Sequence, residues 1–163
     1  MAFAIETDFS SGSIEVVRAR AQGPVELRLR DDSAAGIRQW FHFVVRSDGE
    51  KPRRLVIANA SDATFANGWA GYRAMVQRAG RGWARAETFY DGAALTIVHQ
   101  PGSAVTRYAY FAPYPFTRLE RLLRRVNEQP WVDVSQIGES VRMETSSGCT
   151  GGAEVFPTWG SSI

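Results

Sequence analysis

The chain of 163 residues contains one cysteine, Cys149, two histidines, His42 and His99, and one lysine, Lys51. A lone cysteine excludes an internal disulfide and fits a reducing compartment. Two histidines and one thiol are too few for a metal site unless carboxylates join them. With a single lysine, nearly all basic charge is arginine, which stays protonated. The net charge is only +2, and the arginines fall at alternate strand positions with one cluster on a late helix. That spread describes a solvated surface rather than a nucleic-acid stripe. No run approaches the roughly 18 to 20 apolar residues of a membrane span. Residues Met1 to Phe9 carry Glu6 and Asp8 where a signal peptide would have a basic start and an apolar run. The expectation is a soluble, cytoplasmic protein with neither nucleic acid nor membrane as partner.

Nucleophile and nucleotide motifs are missing as well. There is no Gly-x-Ser-x-Gly elbow, Gly80-Arg-Gly82 has no third glycine, and Lys51 follows no glycine-rich loop. Cys149 lies in a Ser/Gly/Thr-rich stretch with no histidine nearby to favour a thiolate, so an inert thiol is expected.

What is present is strand pattern. Val25-Glu-Leu-Arg-Leu-Arg30 alternates apolar and charged residues at period two, giving one wet and one buried face. Similar runs occur at Ile14 to Arg20, Gln39 to Arg46, Arg53 to Ala60, Tyr72 to Arg78, Ala94 to His99 and Thr106 to Phe111. Turn clusters such as Arg46-Ser-Asp-Gly-Glu and Tyr90-Asp-Gly separate them. With 44% hydrophobic and 12% aromatic residues, the chain has material for a packed core. The fold expected is mainly β: an antiparallel β-sandwich of about seven to nine strands, followed by one α-helix and a short strand. In Gln39-Trp-Phe-His-Phe-Val-Val45 both faces are apolar or aromatic, so the outer face of that strand needs a cover, for which a second domain is a candidate.

Leu119, Leu122, Leu123 and Val126 repeat at helical spacing among Arg118, Arg121, Arg124 and Arg125. Thr117 and Glu120 stand at capping-box spacing, and Pro130 ends the helix. If the leucine stripe lacks a cover, self-association through it is expected. Trp131 to Ile137 reads as the short strand. Residues 143–163 have no usable period and read as a disordered or out-of-frame tail.

The most informative stretch is Tyr108 to Phe116, YAYFAPYPF, an aromatic strand running into an Ala-Pro-Tyr turn and then the helix. With DFSSGSIEVV (8–17), QWFHFVV (39–45), NGWAGYRAMV (67–76) and YDGAALTIVHQP (90–101), it resembles the N-terminal β-sandwich domain of cytosolic-type zinc metallocarboxypeptidases, in order and in spacing. The resemblance implies a sandwich over 1–112, the helix and first strand of a truncated carboxypeptidase domain over 113–142, and a frameshift, premature stop or engineered end in the last twenty or so residues. It implies that this part is non-catalytic, packs against the peptidase domain of the parent protein and shapes access to its cleft. That parent would use zinc-activated water to remove carboxy-terminal residues, acidic ones being a common preference in the subgroup.

Zinc in that family is held by a His-x-x-Glu pair and a distant histidine. Here Val45 stands three residues after His42 and Gly102 three after His99, so no zinc is expected in this chain. His42 reads as a core or interface histidine, and His99 as a turn cap or an exposed side chain. Tyr72, Arg73, Tyr108, Tyr110, Phe111, Pro113 and Tyr114 read as the docking surface for the peptidase domain, Arg73 as its polar partner. A rival function is a carbohydrate- or ligand-binding sandwich, with Trp69, Tyr72, Trp83, Phe89 and Tyr90 as an aromatic platform, weighed against ordinary core packing.

Overall fold

Alternation explains the layers of the computed structural model, which describes residues 3–20, 23–31, 36–47 and 52–135. Among the described residues ten strands form: β1 (Phe3–Glu6), β2 (Glu15–Arg18), β3 (Val25–Arg28), β4 (His42–Ser47), β5 (Arg53–Ile57), β6 (Met75–Arg78), β7 (Trp83–Arg85), β8 (Thr88–Tyr90), β9 (Leu95–His99) and β10 (Val105–Ala109). They make two five-stranded sheets, ordered β1-β4-β10-β6-β7 and β2-β3-β5-β9-β8. The β-sandwich is therefore as expected in class but has three more strands than the seven runs that alternation marks. The extra ones, β1, β7 and β8, are three or four residues long and all lie at sheet edges. Edge strands meet fewer neighbours, so their sequences carry less alternation.

One pairing departs from the antiparallel plan. β3 runs parallel to β5, with Val25 beside Leu55 and Leu27 beside Ile57. Beyond the paired residues Asn59 takes over the ladder with its side chain: its Oδ1 accepts from the Leu29 N–H at 2.7 Å and its Nδ2 donates to the Leu29 carbonyl at 3.1 Å. A buried amide satisfied in both directions holds the strand end where backbone pairing stops.

The two inner faces meet over Val25, Leu27, Phe43, Val45, Leu55, Ile57, Leu95 and Ile97, each without exposed surface. Burial of side chains of this size stabilises by about 1.5–3 kcal/mol apiece. His42, Phe43, Val44 and Val45 are all buried, which fits a central strand covered on both sides. The cover on the outer side comes from the chain itself: Phe9 sets its ring 4.8 Å from the His42 ring, Trp83 at 6.0 Å and Trp40 at 6.1 Å. Two strands separate β7 from β4, so at about 4.8 Å per strand the Trp83 indole reaches back across β6 and β10.

The chain divides into two compact units, Met1–Pro113 and Tyr114–Ile163. In the second, α1 spans Phe116–Asn127. It does not start on a Thr117 capping box. Pro115 is the N-cap, at φ −69° and ψ 150°, and no side chain caps the helix. The Pro115 carbonyl accepts from Arg118 N–H at 2.8 Å, so Thr117 already lies in the first turn. Proline at the boundary has no N–H to leave unpaired and a φ already close to helical, and it starts the helix earlier than the hydroxyl would. The helix ends at Asn127, before Pro130. The Trp131 to Ile137 strand does not form over its described part, 131–135. A strand persists by sharing a ladder, and no described strand pairs with this segment. The expectations for residues 136–163 lie outside the described residues.

Candidate functional site

The polypeptide leaves β10 through Tyr110 and Phe111, and the aromatic rings gather there. Tyr72 stacks on Tyr110 at 5.2 Å with the planes 27° apart, and its hydroxyl donates to the Tyr110 carbonyl at 2.5 Å. Burial and the neighbouring Tyr110 push the Tyr72 phenol well above its ordinary pKa, so it remains a neutral donor. Trp69 sits edge-on to both rings, 5.0 Å from Tyr72 and 5.6 Å from Tyr110, and its indole N–H donates to the Ala60 carbonyl at 2.8 Å. Phe111 continues outward, 5.7 Å from Tyr110 and 4.7 Å from Trp40, and remains 57% exposed. The result is a graded shoulder: Trp69 buried, Tyr72 and Tyr110 half-buried, Phe111 open.

Of the residues read from the sequence as a docking surface, Tyr72, Tyr110 and Phe111 come together. Arg73 is exposed beside them, its Nε donating to the Ala86 carbonyl at 3.3 Å and its own carbonyl accepting from Arg85. Pro113 is half-buried. Tyr114 belongs to the second unit, where Arg118 lies over its ring at 4.9 Å.

Tyr108 is a correction. It is 1% exposed, stacks on Phe43 at 5.5 Å and meets His99 Nδ1 through its hydroxyl at 2.9 Å. Its strand register explains this: Tyr108 pairs with Phe43 and Val76, both core residues, so it points between the sheets and has no face to offer a partner. His99 is a second correction, since it is neither exposed nor a turn cap. It lies on the inner face of β9 with Leu95 and Ile97, 1% exposed, and burial with Arg78 and Arg53 nearby lowers its pKa to about 4. His42 is a covered histidine bonded at one ring nitrogen, Nδ1 lying 3.0 Å from Ser11 Oγ. Burial first, then Arg107, lowers its pKa to about 4. The two residues missed in the sequence are Trp40 and Asn59. Trp40 follows Gln39 at the start of the aromatic run and could have been placed at the shoulder. An isolated asparagine gives no such signal.

The turn that serves His42 leaves little room. Gly12 N–H donates to the Phe9 carbonyl at 2.8 Å, and Ser11 adopts φ 70°, while the Trp40 indole donates to the Ser11 carbonyl. A Cβ on Gly12 would stand 2.1 Å from the Thr7 carbonyl oxygen. Gly12→Ala is therefore expected to cost about 1–3 kcal/mol in urea unfolding. Displacement of Ser11 should also move the His42 titration in NMR, a change absent from a merely local loss of packing.

The five aromatics of the carbohydrate reading do not assemble. Trp69 is buried, Trp83 lies on His42, and Phe89 and Tyr90 belong to the edge strand of the other sheet. Only Trp69 and Tyr72 are in ring contact. Nor does a zinc ion fit the histidines: His42 is on the outer side of one sheet, His99 is inside against the other, and each commits Nδ1 to a hydroxyl. Among the described residues no three His, Cys, Asp or Glu side chains gather to hold a metal ion. No described helix is long and apolar enough to cross a membrane. What this surface can offer chemically is shape, apolar area and a few polar edges.

A family model described as the cytosolic carboxypeptidase N-terminal domain matches residues 5–111. A metallo-carboxypeptidase structure from Burkholderia cenocepacia superposes with TM-score 0.81 at 29% identity, over 85% of this chain and 37% of that one. A Pseudomonas aeruginosa metallo-carboxypeptidase in complex with (2-guanidinoethylmercapto)succinic acid gives TM-score 0.79 at 32% identity, over 84% and 37%. An uncharacterized protein of Zymomonas mobilis subsp. mobilis is 33% identical over 141 residues, 86% of this chain and 37% of its own length. The chain thus spans little more than a third of the relatives it matches.

Proposed function

The chain belongs to the cytosolic carboxypeptidase N-terminal domain family, and from that premise we propose that it is the non-catalytic module of a cytoplasmic zinc metallocarboxypeptidase. The module packs against the peptidase domain through the shoulder formed by Trp40, Tyr72, Tyr110 and Phe111, and borders the cleft. Zinc, the water it activates and the specificity pocket belong to the peptidase domain.

The observation that carries this reading is the exposure gradient at the exit of β10. Phe111 presents more than half of its surface yet is held from behind by Trp40 and Tyr110. A rigid, pre-oriented aromatic loses little side-chain freedom on docking, which is why such groups anchor interfaces. Arg73 and Arg85 supply polar contacts at the rim.

Two measurements test it. The purified chain, supplied with zinc, is expected to have no chelator-sensitive peptidase activity; stoichiometric zinc with such activity would overturn the reading. The chain is also expected to bind the remainder of the B. cenocepacia enzyme, the part it does not match. Phe111→Glu should weaken that binding by about tenfold or more in calorimetry, since a charge enters a desolvated contact. Equal binding by Phe111→Glu would remove the shoulder from the interface.

A further inference from the structure

The strand β2, Glu15–Arg18, borders the second sheet. It pairs with β3 on one side, and among the described residues no strand takes its other side. All four of its residues are exposed, Val16 at 39% and Val17 at 46%. An edge of this kind presents unpaired backbone N–H and C=O groups to any strand that can lie beside it.

The register against β3 gives that edge its character. Glu15 stands opposite Arg28 and Val16 opposite Leu27, but Arg18 stands opposite Glu26, so Val17 is the extra residue of a bulge. Glu26 and Arg28 flank the fully buried Leu27 and therefore share the outer face of β3. Residues directly opposite one another lie on the same face, so Glu15 and Arg18 also point outward, and Arg18 bonds Glu26 there at 2.6 Å. In an unbroken strand, residues three apart would lie on opposite faces. The bulge thus sets one acid and one base on a single face of a free edge, with two exposed valines between them.

Two copies that pair antiparallel about a two-fold axis normal to the sheet bring together only residues of the same face. With the axis between Val16 and Val17, Glu15 of each copy meets Arg18 of the other. The charges then alternate across four strands: Arg28, Glu15, the second copy's Arg18 and its Glu26 form one row, and the symmetry-related row alternates in the same way. We propose that β2 is a dimerisation edge, through which two copies of this chain join their second sheets into one continuous sheet. A second copy is the occupant because the edge complements itself in charge. The proposal is independent of the docking reading, since none of these residues belongs to the shoulder. Four residues from each copy bury less than the roughly 1,200 Å² of a standard interface, so the association is weak, with a dissociation constant on the order of 100 µM.

Sedimentation equilibrium of the full chain from about 10 µM to 1 mM, in about 50 mM salt, tests it. The parent should dimerise, and about 500 mM salt should weaken the dimer. Glu15→Arg places two arginines opposite one another at each contact, and Arg18→Glu places two glutamates there, so each variant alone should dimerise at least tenfold more weakly. An equimolar mixture of the two should regain parent-like association, because each contact then pairs a base with an acid; a general loss of structure would not produce that recovery. Leu122→Glu, on the exposed stripe of α1, should dimerise like the parent. A parent that stays monomeric to 1 mM, single variants that associate like the parent, or a mixture no better than its components would each overturn the proposal. Loss of association in Leu122→Glu would overturn it too, and would assign the contact to the helix.

Discussion

Acidification from pH 6.5 to 4 is expected to remove on the order of 3 kcal/mol of stability for each of the two buried histidines. Both rings have their pKa lowered from 6.5 to about 4, chiefly by burial. The unfolded chain therefore binds protons in this window that the folded chain refuses. Stability is fully present above pH 6.5 and falls by up to about 1.4 kcal/mol per pH unit for each histidine until the folded groups titrate near pH 4. Arg78 and Arg53 face His99, and Arg107 faces His42, so no described acid opposes the trend. Urea unfolding at half-unit pH intervals measures it. In His99→Gln the slope should fall to about half. A parent stability that stays flat between pH 6.5 and 4.5 would show that the imidazoles are solvated in the native state.

Trp69→Ala should cost about 3–5 kcal/mol, the largest loss from any single truncation at the shoulder. The indole is 1% exposed, braces Tyr72 and Tyr110 edge-on, and is tied to Ala60 by its N–H. Its removal opens a cavity and frees the two tyrosines from their back wall. The same variant should lose near-UV circular dichroism from the stacked tyrosines and bind the peptidase domain less tightly. Phe111→Ala, by contrast, should leave stability almost unchanged and affect binding alone. That contrast separates support for the surface from the surface itself. A cost below about 1 kcal/mol for Trp69→Ala would mean that the tyrosine pair is held from elsewhere.

Much of the sandwich was legible because its central strands alternate: Val25 to Arg28 and Leu95 to His99 bury every second residue, and Arg53 to Ile57 does so from Leu55 onward. The same period could have placed His99 and Tyr108. Each stands two residues from a core position, so each points inward, yet the aromatic and polar side chains drew the reading toward the surface. Periodicity outranks residue type when a strand is central, since face is set by backbone geometry. The parallel β3 and β5 pair was not legible, because pairing partners depend on the long path through residues 29–52 rather than on either strand. The helix start was missed for a related reason: a hydroxyl at capping spacing competes with a proline that already fixes the preceding backbone.

At the shoulder, Tyr72, Tyr110 and Phe111 were readable from their neighbourhood in sequence, whereas Trp40 joins them from a strand entrance far away.

The place of β10 has a consequence for how the molecule is made. This strand, the last among the described residues, lies between β4 and β6, in the middle of its sheet. During synthesis, β4 and β6 emerge first and have no way to join until residues 105–109 slot between them. Until then the edges of β4 and β6 that face each other keep their backbone N–H and C=O groups unpaired, open to water and to the strands of sister nascent chains. Closure must bring β10 back to β4 some sixty residues away, which makes assembly of the sheet slow compared with a nearest-neighbour hairpin.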